Sequence, residues 1–386
     1  TCAVLDDTTL KCWGYGALGL GNSSSIIDTP QAVDIGVGNA VVVNSAGSGS
    51  QSHTCAILAA PSIGYSINTT GDRGPTSTYE STMMCWGAIN GNGWPNNQGL
   101  YTQNYPVSRS ESNVLSIIAI DKGSEHTCII LHNNSLSCFG GQNSGLMGNG
   151  LSSSNIFTLS DSLENPVNMG LNRNTLAVST GSGHTCAIDD IAQLKCWGSN
   201  GNGQLGTGNT TEHWSPVLID LGAGKHMSVS ERDRDGDSIL NIFDTHMQGG
   251  QAGSIYTDHS IELGFSSTCH IMNLGELYCY GYNGWGNLGL GYIGGNIETP
   301  QLVNVSNGSK VVNVEMVNEV NGAHTCALTE AGEVLCWGRN YAGSLGDGTT
   351  VTRTSPTIVD IGSNQTAVAL SVGDLHVCVI LGNLSV

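Results

Sequence analysis

Thirteen cysteines are the densest reactive chemistry in the chain. Thiols can hold metals, attack as nucleophiles or pair with one another, and their spacing chooses among these. Cys2/Cys12, Cys128/Cys138, Cys186/Cys196, Cys269/Cys279 and Cys326/Cys336 each lie ten positions apart, and Cys55/Cys85 is a sixth pair stretched by twenty more. Structural zinc sites place two to four residues between paired cysteines, a spacing absent from this sequence. Ten positions instead suit two residues facing each other across a β-hairpin. Opposed Cα atoms there lie roughly 4.5–5.5 Å apart, within reach of a disulfide. Six hairpin disulfides are expected, each contributing about 2–3 kcal/mol by constraining the unfolded chain and stiffening the outer hairpin of its unit. Disulfides at this density place the protein in an oxidising compartment: extracellular, either secreted or at the cell surface. Cys378 is left over, and the same spacing puts its partner at position 388, beyond Val386. A segment of a longer polypeptide is therefore expected.

A second constellation is made of hard oxygen donors. Asp233, Asp235, Asp237, Asn241 and Asp244 fall at positions 1, 3, 5, 9 and 12 of a loop, with the carbonyl of Ile239 at position 7. That order gathers the six or seven oxygens Ca2+ requires, and carboxylates this close repel one another without a cation. The segment resembles the calcium loops of thrombospondin type 3 repeats and dockerins. Ser238 stands where those loops use glycine, and Asp244 where they use a bidentate glutamate. Structural Ca2+ is the expected cofactor. Sequons at Asn22, Asn68, Asn133, Asn209, Asn304, Asn307, Asn364 and Asn383 offer N-linked glycosylation sites. Their number is what chance supplies, so the glycan expectation rests on the extracellular inference.

These groups need a scaffold, and an internal repeat supplies it. First cysteines recur at 2, 55, 128, 186, 269, 326 and 378. Removing the insertion at about 59–83 and another at about 225–256 leaves a period near fifty, the mark of a repeat architecture. Each unit reads His-Thr-Cys-Ala, a turn, Leu-x-Cys-Trp-Gly, Gly-x-Leu-Gly and one proline. Examples are His184–Cys186, Cys196–Gly198, Gly203–Gly206 and Pro216, while Phe139 and Tyr280 replace the tryptophan in two units. After the proline comes an apolar stretch such as Val217–Leu221, then Leu176–Ser179, then the hairpin Thr185–Ile188 and Gln193–Trp197. Four short strands per unit, repeated about seven times, predict an all-β fold: a single β-propeller over 1–386, one blade incomplete. The insertion at 59–83 is expected to be an exposed loop.

The unit resembles the repeat of the regulator of chromosome condensation family, most fully from His324 to Gly348 (HTCALTEAGEVLCWGRNYAGSLGDG). The resemblance implies a seven-bladed β-propeller. The cysteines depart from the intracellular members and mark a disulfide-stapled, secreted variant.

His53, His126, His184 and His324 recur once per unit, which argues for structural rather than catalytic work. They are expected to hydrogen-bond turn backbone between blades. The aromatic beside each second cysteine is expected in the inter-blade core. No nucleophile–base set, paired carboxylates or phosphate loop stands apart from the repeats, so no enzyme activity is expected. Lys+Arg 12 against Asp+Glu 31 gives a net charge of −19, which opposes nucleic acid and anionic membranes as partners. No apolar run approaches the ~18–20 residues of a membrane span. The expected function is a non-catalytic extracellular scaffold, structural or adhesive, within a surface or filamentous assembly. Its partners would be other protein chains, including copies of itself, and surface glycans. The alternative is a secreted inhibitor resembling the propeller-type β-lactamase inhibitor, which needs a complete, closed monomer with an aromatic-rich face.

Overall fold

The computed structural model describes the chain except residues 1, 6–8, 15–17, 21–25, 36–38, 47–52, 60–64, 68–72, 76–80, 90–100, 109–116, 123–125, 132, 142, 152–158, 228–259, 306–307, 318–322 and 383–386. Antiparallel sheets follow one another in chain order. The fourth is the clearest, with strands Thr175–Thr180, His184–Asp189, Leu194–Gly198 and His213–Leu218 paired in that sequence. The fifth (Ile261–Leu263, Ser267–Ile271, Leu277–Tyr282, Asn296–Leu302) and the sixth (Val311–Met316, His324–Thr329, Val334–Gly338, Arg353–Ile358) repeat it. The second sheet pairs Asn39–Ala46, His53–Ala59, Ser81–Ile89 and Tyr101–Ser108. Three strands form the first sheet, three the third and two the seventh. First strands of successive sheets from the second onward adjoin, so the sheets stack face to face around a common centre.

This stacking explains the pattern of burial. A middle strand is covered on both faces by neighbouring sheets, so His184–Asp189 is buried at every residue. The fourth strand lies at the rim, and His213–Leu218 stays partly exposed. Its position also settles the proline. The strand begins three residues before Pro216 instead of after it, and Pro300 and Pro356 likewise sit inside rim strands. An edge strand tolerates a residue without an N–H; a central strand does not.

Two further departures from expectation concern the second and third sheets. The insertion after Ala59 is not simply a loop. The second sheet's cysteine hairpin runs on to the pair Ala59–Ser81, and Tyr65–Ile67 pairs with Arg73–Pro75 in a small hairpin of its own. In the third sheet (Ile117–Lys122, His126–Leu131, Leu136–Gly140) a short helix, Leu159–Glu164, packs on the third strand where other sheets carry a fourth. Leu159 is wholly buried among Cys55, Cys85, Ile129 and Phe139, which secures the helix between the second and third sheets.

Candidate interaction surface

Six bridges join Cys2–Cys12, Cys55–Cys85, Cys128–Cys138, Cys186–Cys196, Cys269–Cys279 and Cys326–Cys336, with Cα atoms 4.0–4.2 Å apart. Each pair is in direct register across its hairpin. In the four-stranded sheets the bridges link the two middle strands, not an outer hairpin, and every bridged cysteine except the half-buried Cys2 is buried. Cys269 and Cys279 pack with Trp337, and Cys128 and Cys138 with Trp197. They are cross-links inside the inter-sheet core. Cys378, half-buried, is the one free thiol among the described residues.

The recurring His, Thr, Trp and Gly form a lock between sheets. His126 Nε2 lies 2.6 Å from Thr185 Oγ1, and His184 Nε2 lies 2.9 Å from Thr268 Oγ1, each bond reaching from one sheet to the next. His126 pairs with a threonine hydroxyl, and His184 with one and also with the backbone at Ser267 of the next sheet. Thr268 in turn donates to the carbonyl of Gln204. Trp197 Nε1 donates to Leu146 O at 3.0 Å and Trp337 Nε1 to Asn287 O at 2.9 Å, again between sheets. The last glycine of Gly-x-Leu-Gly makes room for the ring. A Cβ on Gly289 (φ +72°) would lie 2.8 Å from Trp337 Nε1, and one on Gly206 (φ +72°) 2.7 Å from Tyr280. Burial lowers the pKa of His126 and His270 from 6.5 to about 3. His184 falls equally far, by burial first and then by repulsion from His126, against a backbone bond at Ser267. The imidazoles are neutral structural groups, as their repetition implies.

A buried asparagine builds the loop at the end of the fourth, fifth and sixth sheets. Asn340 Nδ2 donates to Asp347 Oδ1, Thr349 O and Val351 O, while its Oδ1 accepts from Leu345 N. Asn200 and Asn283 repeat the pattern. Beside Asn340, hydrogen bonds from Thr349 and Arg353 outweigh the cost of burial and hold Asp347 at about 2. These asparagines fix the backbone and leave the neighbouring side chains to face solvent.

In the fifth and sixth sheets those neighbours are aromatic. Among the described residues, the aromatic side chains that stand exposed are Phe265, Tyr282, Trp285, Tyr292 and Tyr341, at one end of these two sheets: Tyr282 closes its strand and the others lie in the connections beyond. The Arg339 guanidinium lies 4.5 Å from the Trp285 ring and 5.4 Å from the Tyr341 ring, stitching the two sheets' loops together. Tyr282 rests on Gly284, and its N–H donates to Ser266 O, next to Phe265. No charged residue occurs between Glu276 and Glu298. Sequence reasoning missed this surface. Its signal lies in the departures from the repeat: Trp285 and Tyr341 occupy the loop positions where the fourth sheet has Asn202 and Gly201.

The calcium-ligand candidates Asp233, Asp235, Asp237, Ile239, Asn241 and Asp244 lie outside the described residues, as do Asn22, Asn68, Asn307 and Asn383. Asn133, Asn209, Asn304 and Asn364 are exposed, in positions a glycan could occupy. A shallow groove of about 610 Å³ between the third and fourth sheets contains Lys195, whose charge is already matched by Asp189 at 2.9 Å.

Stacked antiparallel sheets with adjoining inner strands define a β-propeller, here cross-linked by a disulfide in every described cysteine hairpin but the seventh sheet's. Over the residues they match, the repeats fit the regulator of chromosome condensation (RCC1) repeat. The model for that repeat matches residues 194–230, 275–319 and 331–380, and a second model of the same description matches 176–204. The ultraviolet-B receptor UVR8 of Arabidopsis thaliana is 25% identical over 300 residues, 70% of this chain and 64% of the receptor. The human E3 ubiquitin-protein ligase HERC2 is 25% identical over 222 residues, 52% of this chain and 4% of the ligase. The chain thus spans less than two thirds of either relative. Yeast RCC1 (Prp20), solved bound to Kap60, superposes with a TM-score of 0.66 at 16% identity, covering 97% of this chain and 76% of that one. Human WBSCR16 gives 0.52 at 16% identity, over 97% of this chain and 99% of that one. At such identities the structures establish the fold, and the fold is that of a protein-interaction module.

Proposed function

We infer that this chain is an extracellular, non-catalytic interaction scaffold, structural or adhesive in role. The observation that carries the reading is the set of six disulfides, one in each cysteine hairpin from the first sheet to the sixth. Such bridges persist in oxidising compartments and are rare in cytosol and nucleus. They keep a propeller intact where chaperones are absent, which suits a part of a surface or filamentous assembly. The −19 charge further separates this chain from partners with a phosphate backbone. Ca2+ at Asp233–Asp244 would order the second insertion and not the core, which is packed without it. The aromatic end of the fifth and sixth sheets favours a second reading, a secreted inhibitor that presents one propeller face to a protein target.

Non-reducing peptide mapping of protein isolated from its native source tests the compartment: six hairpin bridges are expected, and free thiols throughout would reject it. Electron microscopy of the same material separates assembly component from inhibitor. Filaments or ordered arrays are expected, and monodisperse particles would favour the inhibitor.

A further inference from the structure

We propose that N-linked glycans at Asn133, Asn304 and Asn364 cover the aliphatic side chains exposed at the hairpin-turn end of the sheets, and leave the aromatic loops at the other end of the fifth and sixth sheets bare. The inference rests on the extracellular reading and adds to it a modification and the face that carries it.

The strands define the two ends. In the fourth to sixth sheets the rim strand finishes beside the turn of the cysteine hairpin, since Leu218, Leu302 and Ile358 pair with Lys195, Tyr278 and Leu335. The connection to the next sheet runs along that same end. Thr175 N donates to Asn134 O in the third sheet's turn, and Ala367 N to Gly332 O in the sixth sheet's turn. The loops that carry Trp285, Tyr292 and Tyr341 stand at the opposite end.

The large apolar side chains exposed at the turn end are aliphatic. Leu171 is 88% and Leu302 55% exposed, and Leu274, Val312, Ile358 and Val368 are exposed as well. Aliphatic groups gathered on one face of a protein mark a covered surface or an aggregation liability. The sequons supply the cover. Asn133 lies in the third sheet's turn, against the connection that holds Leu171; Asn304 follows Leu302 by two residues; Asn364 lies in the connection between Ile358 and Val368. All three asparagines are exposed, whereas the loops over residues 282–296 and 338–352 contain no sequon. The weight rests on placement, not on number.

The local chemistry suits the modification. Asn133 Oδ1 accepts from Ser135 N at 3.0 Å and from Ser135 Oγ at 2.7 Å, which engages the oxygen with the sequon's own hydroxyl and leaves Nδ2 as the group to be modified. Transfer forms a bond between Nδ2 and C1 of the first sugar. The bond from C1 to a phosphate oxygen of a lipid diphosphate-linked oligosaccharide breaks, the lipid diphosphate leaves, and one Nδ2 proton passes to solvent. Nothing is oxidised or reduced. The attached chain is bulky and strongly hydrated, so it lies over its aliphatic neighbours and holds a second molecule away from them.

Tandem mass spectrometry of proteolytic peptides from the native protein tests occupancy, and sugar is expected on Asn133, Asn304 and Asn364. The covering role is tested on the whole chain secreted from a host that N-glycosylates. Ser135→Ala, Ser306→Ala and Thr366→Ala together remove the three sequons and keep the asparagines. They should lower the concentration at which the protein stays monomeric by about threefold. Thr211→Ala, which removes the Asn209 sequon at the loop end, should leave that concentration unchanged. Adding Leu302→Ser and Ile358→Ser to the triple variant should restore most of the loss. Thermal unfolding of each variant checks that the fold is kept. Three unmodified asparagines in a protein whose six bridges are intact would overturn the proposal and leave the extracellular reading standing. A glycosylated wild type no more soluble than the triple variant would overturn the covering role. Free thiols throughout the native protein would overturn the extracellular reading and the proposal with it.

Discussion

The end loops of the fourth sheet and those of the fifth and sixth share one skeleton and carry different surfaces. In all three an asparagine (Asn200, Asn283, Asn340) ties the loop, and a Gly-x-Leu-Gly turn follows. The residues between differ: Gly201 and Asn202 in the fourth sheet, Trp285 in the fifth, Tyr341 in the sixth. Burial explains the division. Asn340 is 1% exposed and satisfies four backbone groups or side chains, so its replacement disturbs the fold, whereas Tyr341 beside it is 62% exposed. A repeat of this kind separates the positions that build it from those that give it a partner.

That separation can be broken from its buried side by acid. His126, His184 and His270 are held near pKa 3 in the folded state, against about 6.5 when unfolded. The unfolded chain therefore binds more protons between these values. Stability is fully present above about pH 6.5 and falls as the pH drops towards 3, by on the order of 2–3 kcal/mol per imidazole at pH 4. Urea unfolding at pH 7 and pH 4 should show the midpoint collapsing, and a flat profile would place the imidazoles in contact with water. His270, whose ring nitrogens have no hydrogen-bond partner and whose ring stacks on Tyr278 and meets Tyr280 edge-on, should contribute as much as the other two.

A smaller loss should follow Trp337→Ala. The ring is fully buried between the fifth and sixth sheets and donates to Asn287 O, so about 3–5 kcal/mol is expected from calorimetric unfolding. The contrast sharpens at the smallest scale within one loop. Asn340→Ala should cost about 1–3 kcal/mol because it strands buried backbone groups, while Tyr341→Ala should stay within about 0.5 kcal/mol. Equal losses at the two positions would contradict the division of labour between them.

Much of the fold is legible in the cysteines. Pairs ten apart require a hairpin, and the hairpins repeat with a period near fifty, so sheets and register follow. The rim strands were misplaced around Pro216 because proline reads as a strand boundary until one knows the strand is at an edge. The helix Leu159–Glu164 replaces a strand through tertiary packing of Leu159, which no local periodicity reveals. The aromatic surface is the harder case. Trp285 and Arg339 lie in different repeats, and only stacking of the fifth sheet on the sixth brings them to 4.5 Å. The calcium-loop residues are legible as a motif, and the described structure does not include them.

The connectivity of the bridges has a consequence for synthesis. Every one of the six joins a cysteine to the next cysteine in the sequence. A chain emerging at roughly 5–20 residues per second exposes the two partners of a ten-residue pair within about two seconds, long before the following pair appears. Oxidation in order of emergence therefore yields the native pattern directly, without a shuffling step. Each unit can be closed by the time its neighbour arrives to pack against it, and the longest interval falls at Cys55, which must wait out the insertion before Cys85.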